Sequence, residues 1–181
     1  LVPQEEPEIS ELLETKLAGR MAVFTHTEVV RVRQGEAGMT LIGKDTHDGE
    51  ERTVTAKHVL VAAGRQSNAD LLKVENAGIE TGERGYIKVD EHLQTSAPRI
   101  WALGDATGKH MFKHVANQDA SLVWHNIAHD HQGAVDYSAV PHAVFSHPPI
   151  ASVGLTERQA RENFEILVGR SKYLNTARGE A

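Results

Sequence analysis

The sequence predicts an α/β fold, and three observations carry that expectation. His58–Ala62, "HVLVA", is a near-continuous apolar run, the pattern of a strand covered on both faces in a parallel sheet. Arg99–Leu103, "RIWAL", is a second such run; Gly64 follows the first and Gly104 the second. Around them lie two stretches with helical spacing of apolar residues, Glu5–Leu17 and Val115–Ala128.

In chain order, Ile9, Leu12, Leu13 and Leu17 predict an amphipathic helix over Glu5–Leu17, with acidic residues in its first turn and Gly19 as its stop. Strands are predicted at Met21–Phe24, Thr27–Arg33, Met39–Ile42 and Arg52–Thr55, with the polar stretch "GKDTHDGEE" as a hairpin loop between the last two. "RQSNADLL" after Gly64 reads as a loop entering a short helix capped by Asn68. "RGYIKVD" (Arg84–Asp90) alternates weakly, as an exposed strand does. The helix over Val115–Ala128 places Val115, Ala116, Leu122, Val123 and Ile127 on or near its buried side. Asp130–Pro141 is a linker into a new unit: strands "HAVF" and "ASVGL", a helix capped at Thr156–Glu157, and a strand "FEILVGRSKY".

Composition bounds the function. The apolar fraction of 40% supports a packed core, and a net charge of −6 with scattered basic residues gives no surface for nucleic acid or an anionic membrane. No stretch approaches the about 18 apolar residues that a membrane span needs. Zero cysteines exclude disulfide staples, thiolate catalysis and thiolate zinc sites within this chain, and a cytoplasmic location is the expectation. No signal peptide is visible, and Leu1 in place of Met points to a processed product or a fragment.

The chemistry concentrates at Gly104–Asp105. At the carboxyl end of a parallel strand, residues face the crevice where α/β proteins bind ligands. A glycine there admits a ligand close to the backbone, and a carboxylate accepts two hydrogen bonds, which suits a polyol. A turn or helix-cap aspartate explains the spacing equally well. The helix starting near Val115 offers its N-terminal amides to an electron-rich group. His110 and His114 are four residues apart, as are His125 and His129, with His131 beyond. Eleven histidines produce such spacings by chance, and solvated surface histidines rather than a metal site are expected. No GxGxxG, GxxxxGK[ST] or GxSxG motif occurs.

Four stretches then add up in order. "TSAPRIWALGDATG" (Thr95–Gly108) resembles the second flavin motif of the class I pyridine nucleotide–disulfide oxidoreductases. "VAAGRQSN" (Val61–Asn68) is similar to their A-x-G-R-x-P-N crossover, with Ser67 in the usual proline's place. "AVPHAVFSHPPIASVGLTE" (Ala139–Glu157) resembles the opening of their dimerisation domain, and "LVPQEEPEIS" (Leu1–Ser10) the segment after their nucleotide-binding glycines.

The resemblance implies parts of Rossmann-like NAD(P) and FAD domains plus the start of an α+β dimerisation domain. The boundaries would be 1–63 for the C-terminal part of the NAD(P) domain, 64–136 for the second FAD segment and 137–181 for the dimerisation domain. It implies that the first flavin motif, the redox cysteine pair and the nicotinamide glycine motif precede Leu1, and that the partner subunit's His–Glu pair follows Ala181. It assigns Asp105, beside Gly104, to the flavin ribityl chain. Met111, Phe112, Lys113 and His114 would follow the isoalloxazine edge through backbone, with the Lys113 amide at the pyrimidine carbonyl, where the family more often has a small residue. Gly64 and Val29 would contact the nicotinamide dinucleotide, their plainer roles being turn and core, and Arg65 would seat the crossover on the flavin domain. His147 in "SHPPI" superficially resembles a C-terminal catalytic His-Pro, but its place before "ASVGLTE" puts it in the first strand of the dimerisation domain, with no catalytic role.

The implied parent is a homodimer that passes electrons between NAD(H) or NADP(H), FAD and a small-molecule or lipoyl-domain disulfide. "VDYSAVP" resembles dihydrolipoamide dehydrogenases, "KHVAN" mycothione-reductase-like members and "FSHPPI" glutathione-reductase-like ones; mercuric-reductase-like members stay open. The expectation is dihydrolipoamide dehydrogenase, the most widespread. The residue selecting NAD over NADP would lie upstream. The chain alone is expected to be inactive and to hold FAD incompletely, and a non-catalytic folded or dimerising piece is the alternative.

Overall fold

The computed structural model describes residues 1–36, 38–129 and 133–176. His131 and the first residues of the predicted linker lie outside them, as do the last five of the chain. Helix and sheet are mixed, in two compact units: Leu1–Arg20 with Asp136–Ala181, and Met21–Val135.

In the first unit, α1 (Pro7–Ala18) starts with Pro7 at a position where its missing N–H is no loss, and buries Leu13. β4 (His142–Val144) and β5 (Ile150–Ser152) pair antiparallel, with Ala143 opposite Ala151. α4 (Glu157–Asn163) opens on a reciprocal cap: Thr156 Oγ1 accepts from the Gln159 amide, and Gln159 Oε1 accepts from the Thr156 amide. Links across the sequence hold the unit together. The buried Glu5 carboxylate is 2.6 Å from His142 Nε2, and the Glu157 amide donates to Glu6 Oε1 at 2.6 Å.

In the second unit, β1 (Thr27–Gly35), β2 (Gly38–Asp45) and β3 (Glu51–Ala56) form an antiparallel sheet in chain order. The register slips between Val29 and Arg31, so Val30 is an extra residue in β1. α2 (Ala69–Leu72) and α3 (Lys113–Ala128) follow, with a tight turn at Gly104–Thr107 between them. Leu93, Ala97, Ala102, Val115 and Val123 are buried in this unit.

The structure corrects several sequence-based elements. Met21–Phe24 is not a strand: His26, at φ +54, turns the chain just before pairing starts at Thr27 opposite Asp45. His58–Ala62 forms no strand, with Leu60 91% and Val61 81% exposed. A doubly covered strand needs neighbours for its backbone groups and its side chains, and the described residues supply none. Of "RIWAL", only Trp101 forms a bridge, to Gln94. Arg84–Asp90 likewise has bridges at Ile87 and Val89 alone, to Thr81 and Thr95. Phe164–Tyr173 forms no strand, and Leu167 is fully exposed. Asn68 stands at the N-cap of α2 without using its side chain; Ser67 Oγ accepts from the Ala69 amide instead. On α3, Ile127 faces solvent, while Asp119 and Asn126 join Val115 and Val123 on the buried stripe.

Candidate functional site

Arg65, Asp105 and Met111 of the expected site residues converge where the loop after Gly64, the Gly104–Thr107 turn and the start of α3 meet. Arg65 is the hub. Its Nη1 donates to Asp105 Oδ2 at 2.7 Å and to the Met111 carbonyl at 3.2 Å, bridging 40 residues of sequence in one case and 46 in the other. The Tyr86 hydroxyl donates to the Arg65 carbonyl at 3.0 Å. These residues border a cleft of about 440 Å³ that also includes Ser67, Ala69 and Leu72. A hollow of about 570 Å³ that shares Tyr86 and Ile87 with it contains none of the Arg65–Asp105–Met111 cluster.

Gly104 is required by its surroundings. Its φ of +60° disfavours a side chain, and an added Cβ would sit 3.0 Å from the Ala116 Cβ on α3. Its amide donates to Asp119 Oδ2 at 2.9 Å, and its carbonyl accepts from Thr107 Oγ1 at 2.9 Å. The turn is thereby held on α3 while Asp105 projects from it with a side chain 54% exposed. Asp105 is the N-cap of neither the turn, which starts after Leu103, nor α3, which starts after Phe112; its carboxylate accepts from Arg65 instead.

α3 starts at Lys113 with Phe112 as N-cap. Its first-turn amides lack helix-internal acceptors, and the N-cap Phe112 has no polar side chain to cap them. The Phe112 and His114 rings stack with centroids 5.5 Å apart, and Lys113 Nζ bonds Asn117 Oδ1. This donor and acceptor set fits one end of a polar, electron-rich ligand. Asp105 offers a carboxylate to hydroxyl groups, and the α3 N-terminus offers amides and a positive dipole end to a carbonyl or an anion.

The two nucleotide-assigned residues stand differently. Gly64, at φ +94°, has nothing within 4 Å of where a Cβ would be, so its neighbours do not explain it. Val29 lies at the β1 bulge, half exposed, and the hydrogen bonds joining Arg65, Asp105 and Met111 do not extend to it. His125 and His129 stack at 4.5 Å, and no group of three or more potential metal ligands forms among the described residues.

Asp119 and Tyr86 were not singled out from the sequence. Asp119 had a signal: it falls four residues after Val115 and four before Val123, on the stripe a helix buries. Tyr86 had none, because its contact with Arg65 is set by how two loops fold back.

Comparison with known proteins joins these pieces. The sequence pattern described as pyridine nucleotide-disulphide oxidoreductase matches residues 1–120, and that family's dimerisation domain matches residues 140–181. A mercuric reductase of Streptomyces lividans is 42% identical over 90% of this chain and 34% of its own length. A dihydrolipoyl dehydrogenase of Bacillus subtilis is 34% identical over 100% of this chain and 38% of its own. Among solved structures, the HOCl-induced flavoprotein disulfide reductase RclA from Escherichia coli superposes with a TM-score of 0.76 at 32% identity, over 90% of this chain and 36% of that one. The chain thus spans about a third of the length of the relatives it matches. With one family pattern over two thirds of its residues and that family's second domain over most of the rest, this chain belongs to the pyridine nucleotide-disulphide oxidoreductases.

Proposed function

We propose that this chain contributes to an FAD-dependent oxidoreductase that carries electrons between NAD(H) or NADP(H) and a disulfide. The observation that carries the reading is the junction of Arg65, Asp105 and Met111 beside the N-terminus of α3. When bound, FAD supplies the two-electron relay between nicotinamide and dithiol. The chain supplies orientation and electrostatics around it. Asp105 would accept from ribityl hydroxyls, Gly104 would keep the backbone close, and the Lys113 amide would face the pyrimidine carbonyl, with Met111, Phe112 and His114 along the isoalloxazine edge. Arg65 ties the crossover loop to the flavin segment, and Gly64 and Val29 belong to the nicotinamide side.

In chain order we assign 1–63 to the NAD(P) domain, 64–136 to the second FAD segment and 137–181 to the dimerisation domain of a cytoplasmic homodimer. No described helix is long and apolar enough to cross a membrane.

For the substrate, dihydrolipoamide is our first reading, supported by a dihydrolipoyl dehydrogenase that aligns with all of the chain. A mercuric-reductase-like activity is the second, favoured by 42% identity to a relative of that name. The test of the flavin reading is an amide-shift titration of the isotope-labelled chain with riboflavin, which lacks the pyrophosphate that this sequence has no GxGxxG loop to hold. Asp105, Lys113 and His114 should respond while β1–β3 stay still. Indifference at all three residues would sink the reading.

A further inference from the structure

We propose that Asp119 is a positioning residue: its buried carboxylate fixes the Gly104–Asp105 turn relative to the start of α3. The role in ligand binding rests on the flavin reading above, whereas the geometric role stands on the following contacts.

Asp119 is 1% exposed on a helix whose other buried positions include Val115 and Val123. Carboxylates are seldom buried so completely without a partner, and an apolar side chain would fill the same stripe. What a leucine could not do is accept the Gly104 amide, which Asp119 Oδ2 meets at 2.9 Å. Ala116, three residues earlier on the same helix face, lies directly under Gly104, where an added Cβ would be 3.0 Å away. Gly104 is therefore held to α3 at two points, by close approach at Ala116 and by hydrogen bond at Asp119.

The consequence falls on Asp105. The two groups offered to a ligand, the Asp105 carboxylate and the α3 N-terminus, sit on different elements joined by the short loop Gly108–Phe112. A loop alone would leave their separation soft. Asp119 lies six residues, or about 9 Å of helix rise, from Lys113, so its bond to Gly104 converts helix rigidity into a fixed offset between the two groups. A ligand that touches both then meets them already spaced.

The test uses the 181-residue chain, isotope-labelled. In the unmodified chain a through-hydrogen-bond coupling should join the Gly104 amide nitrogen to the Asp119 carboxyl carbon. Asp119→Leu should cut the exchange protection of the Gly104 amide by at least ~10-fold and move the amides of Gly104–Thr107, whereas Asp119→Asn, whose side-chain oxygen can accept the same bond, should stay within about 3-fold of the parent. Val115→Ala on the same buried stripe controls for general loosening, and should leave the Gly104 amide shift in place. In a riboflavin titration, Asp119→Leu should raise half-saturation at Asp105 and His114 by at least ~10-fold, with Asp119→Asn again close to the parent. Absence of the coupling, or a Gly104 amide as protected in Asp119→Leu as in the parent, overturns the proposal, and the coupling decides it even if the leucine variant fails to fold. If riboflavin leaves the parent's amides unmoved while the coupling and the protection loss are present, the flavin reading fails and the positioning role stands.

Discussion

One methyl group at Gly108 would test how tightly the candidate site is built. An added Cβ there would lie 2.5 Å from Tyr86 Cγ, and φ is +68°, so neither the ring nor the backbone accommodates it. Gly108→Ala should lower stability by about 1–3 kcal/mol in urea denaturation. It should also displace the Tyr86 hydroxyl from the Arg65 carbonyl it now holds at 3.0 Å. Arg65→Met should behave differently. The Arg65–Asp105 pair is more than half exposed on both sides, so solvent screens it, and its loss should change stability by less than about 1 kcal/mol while freeing the Met111 carbonyl. A larger loss in the same denaturation measurement would mean that Arg65 does structural work these contacts do not explain. Gly104 and Asp105 were legible in the sequence because a glycine and a carboxylate after an apolar run are unusual side by side. Arg65 was legible only through the family resemblance, since nothing local says that it reaches 40 residues along the chain.

Helices and the hairpin strands β1–β5 were read well, and strands without a neighbour close in sequence poorly, for a physical reason visible in particular elements. α4 is specified within four residues: Thr156 and Gln159 satisfy each other's amides, and the start was predicted at that threonine. Thr156→Ala should cost about 1 kcal/mol of local helix stability, seen as faster amide exchange at Glu157–Gln159. The same helix carries a pH response. The Arg161 hydrogen bond to Glu157, helped by the charges of Arg161 and Arg170, holds the Glu157 carboxyl below its ordinary value. A carboxyl lowered in the folded state adds stability that is complete above its ordinary value and lost as pH falls through the lowered one. Carbon-13 titration of the Glu157 carboxyl should therefore give a midpoint below an unpaired glutamate's, and Arg161→Gln should move it up; an unchanged midpoint would remove Arg161 as the cause. A strand has no such local closure. "HVLVA" has the apolar run of a central strand, yet pairing depends on residues far away, and the described chain offers it no partner. β1–β3 form because each finds its neighbour one turn later in sequence.

At the scale of the molecule, the same contrast sets what these 181 residues should do alone. A segment outside any strand, with Leu60 and Val61 almost fully exposed, should exchange its amides freely while β2, paired on both sides, is protected. Native-state hydrogen exchange reads this directly, and protection at His58–Ala62 in the monomeric chain would mean that an unseen strand pairs there. Chemistry imposes a second limit. Disulfide reduction by this family's route needs a dithiol, and the chain contains no cysteine. It also lacks a glycine-rich loop for a pyrophosphate, so under the flavin reading proposed above Asp105 and the α3 N-terminus would meet a flavin from one side only. The purified chain should be colourless and show no NADH- or NADPH-dependent reduction of lipoamide, glutathione disulfide or mercuric ion, even with FAD added. Robust turnover of any of the three would overturn the argument, because electrons would then reach the substrate without a protein thiol. A yellow but inactive chain would instead show that the wall built by Arg65, Asp105 and α3 grips a flavin more firmly than its open geometry predicts.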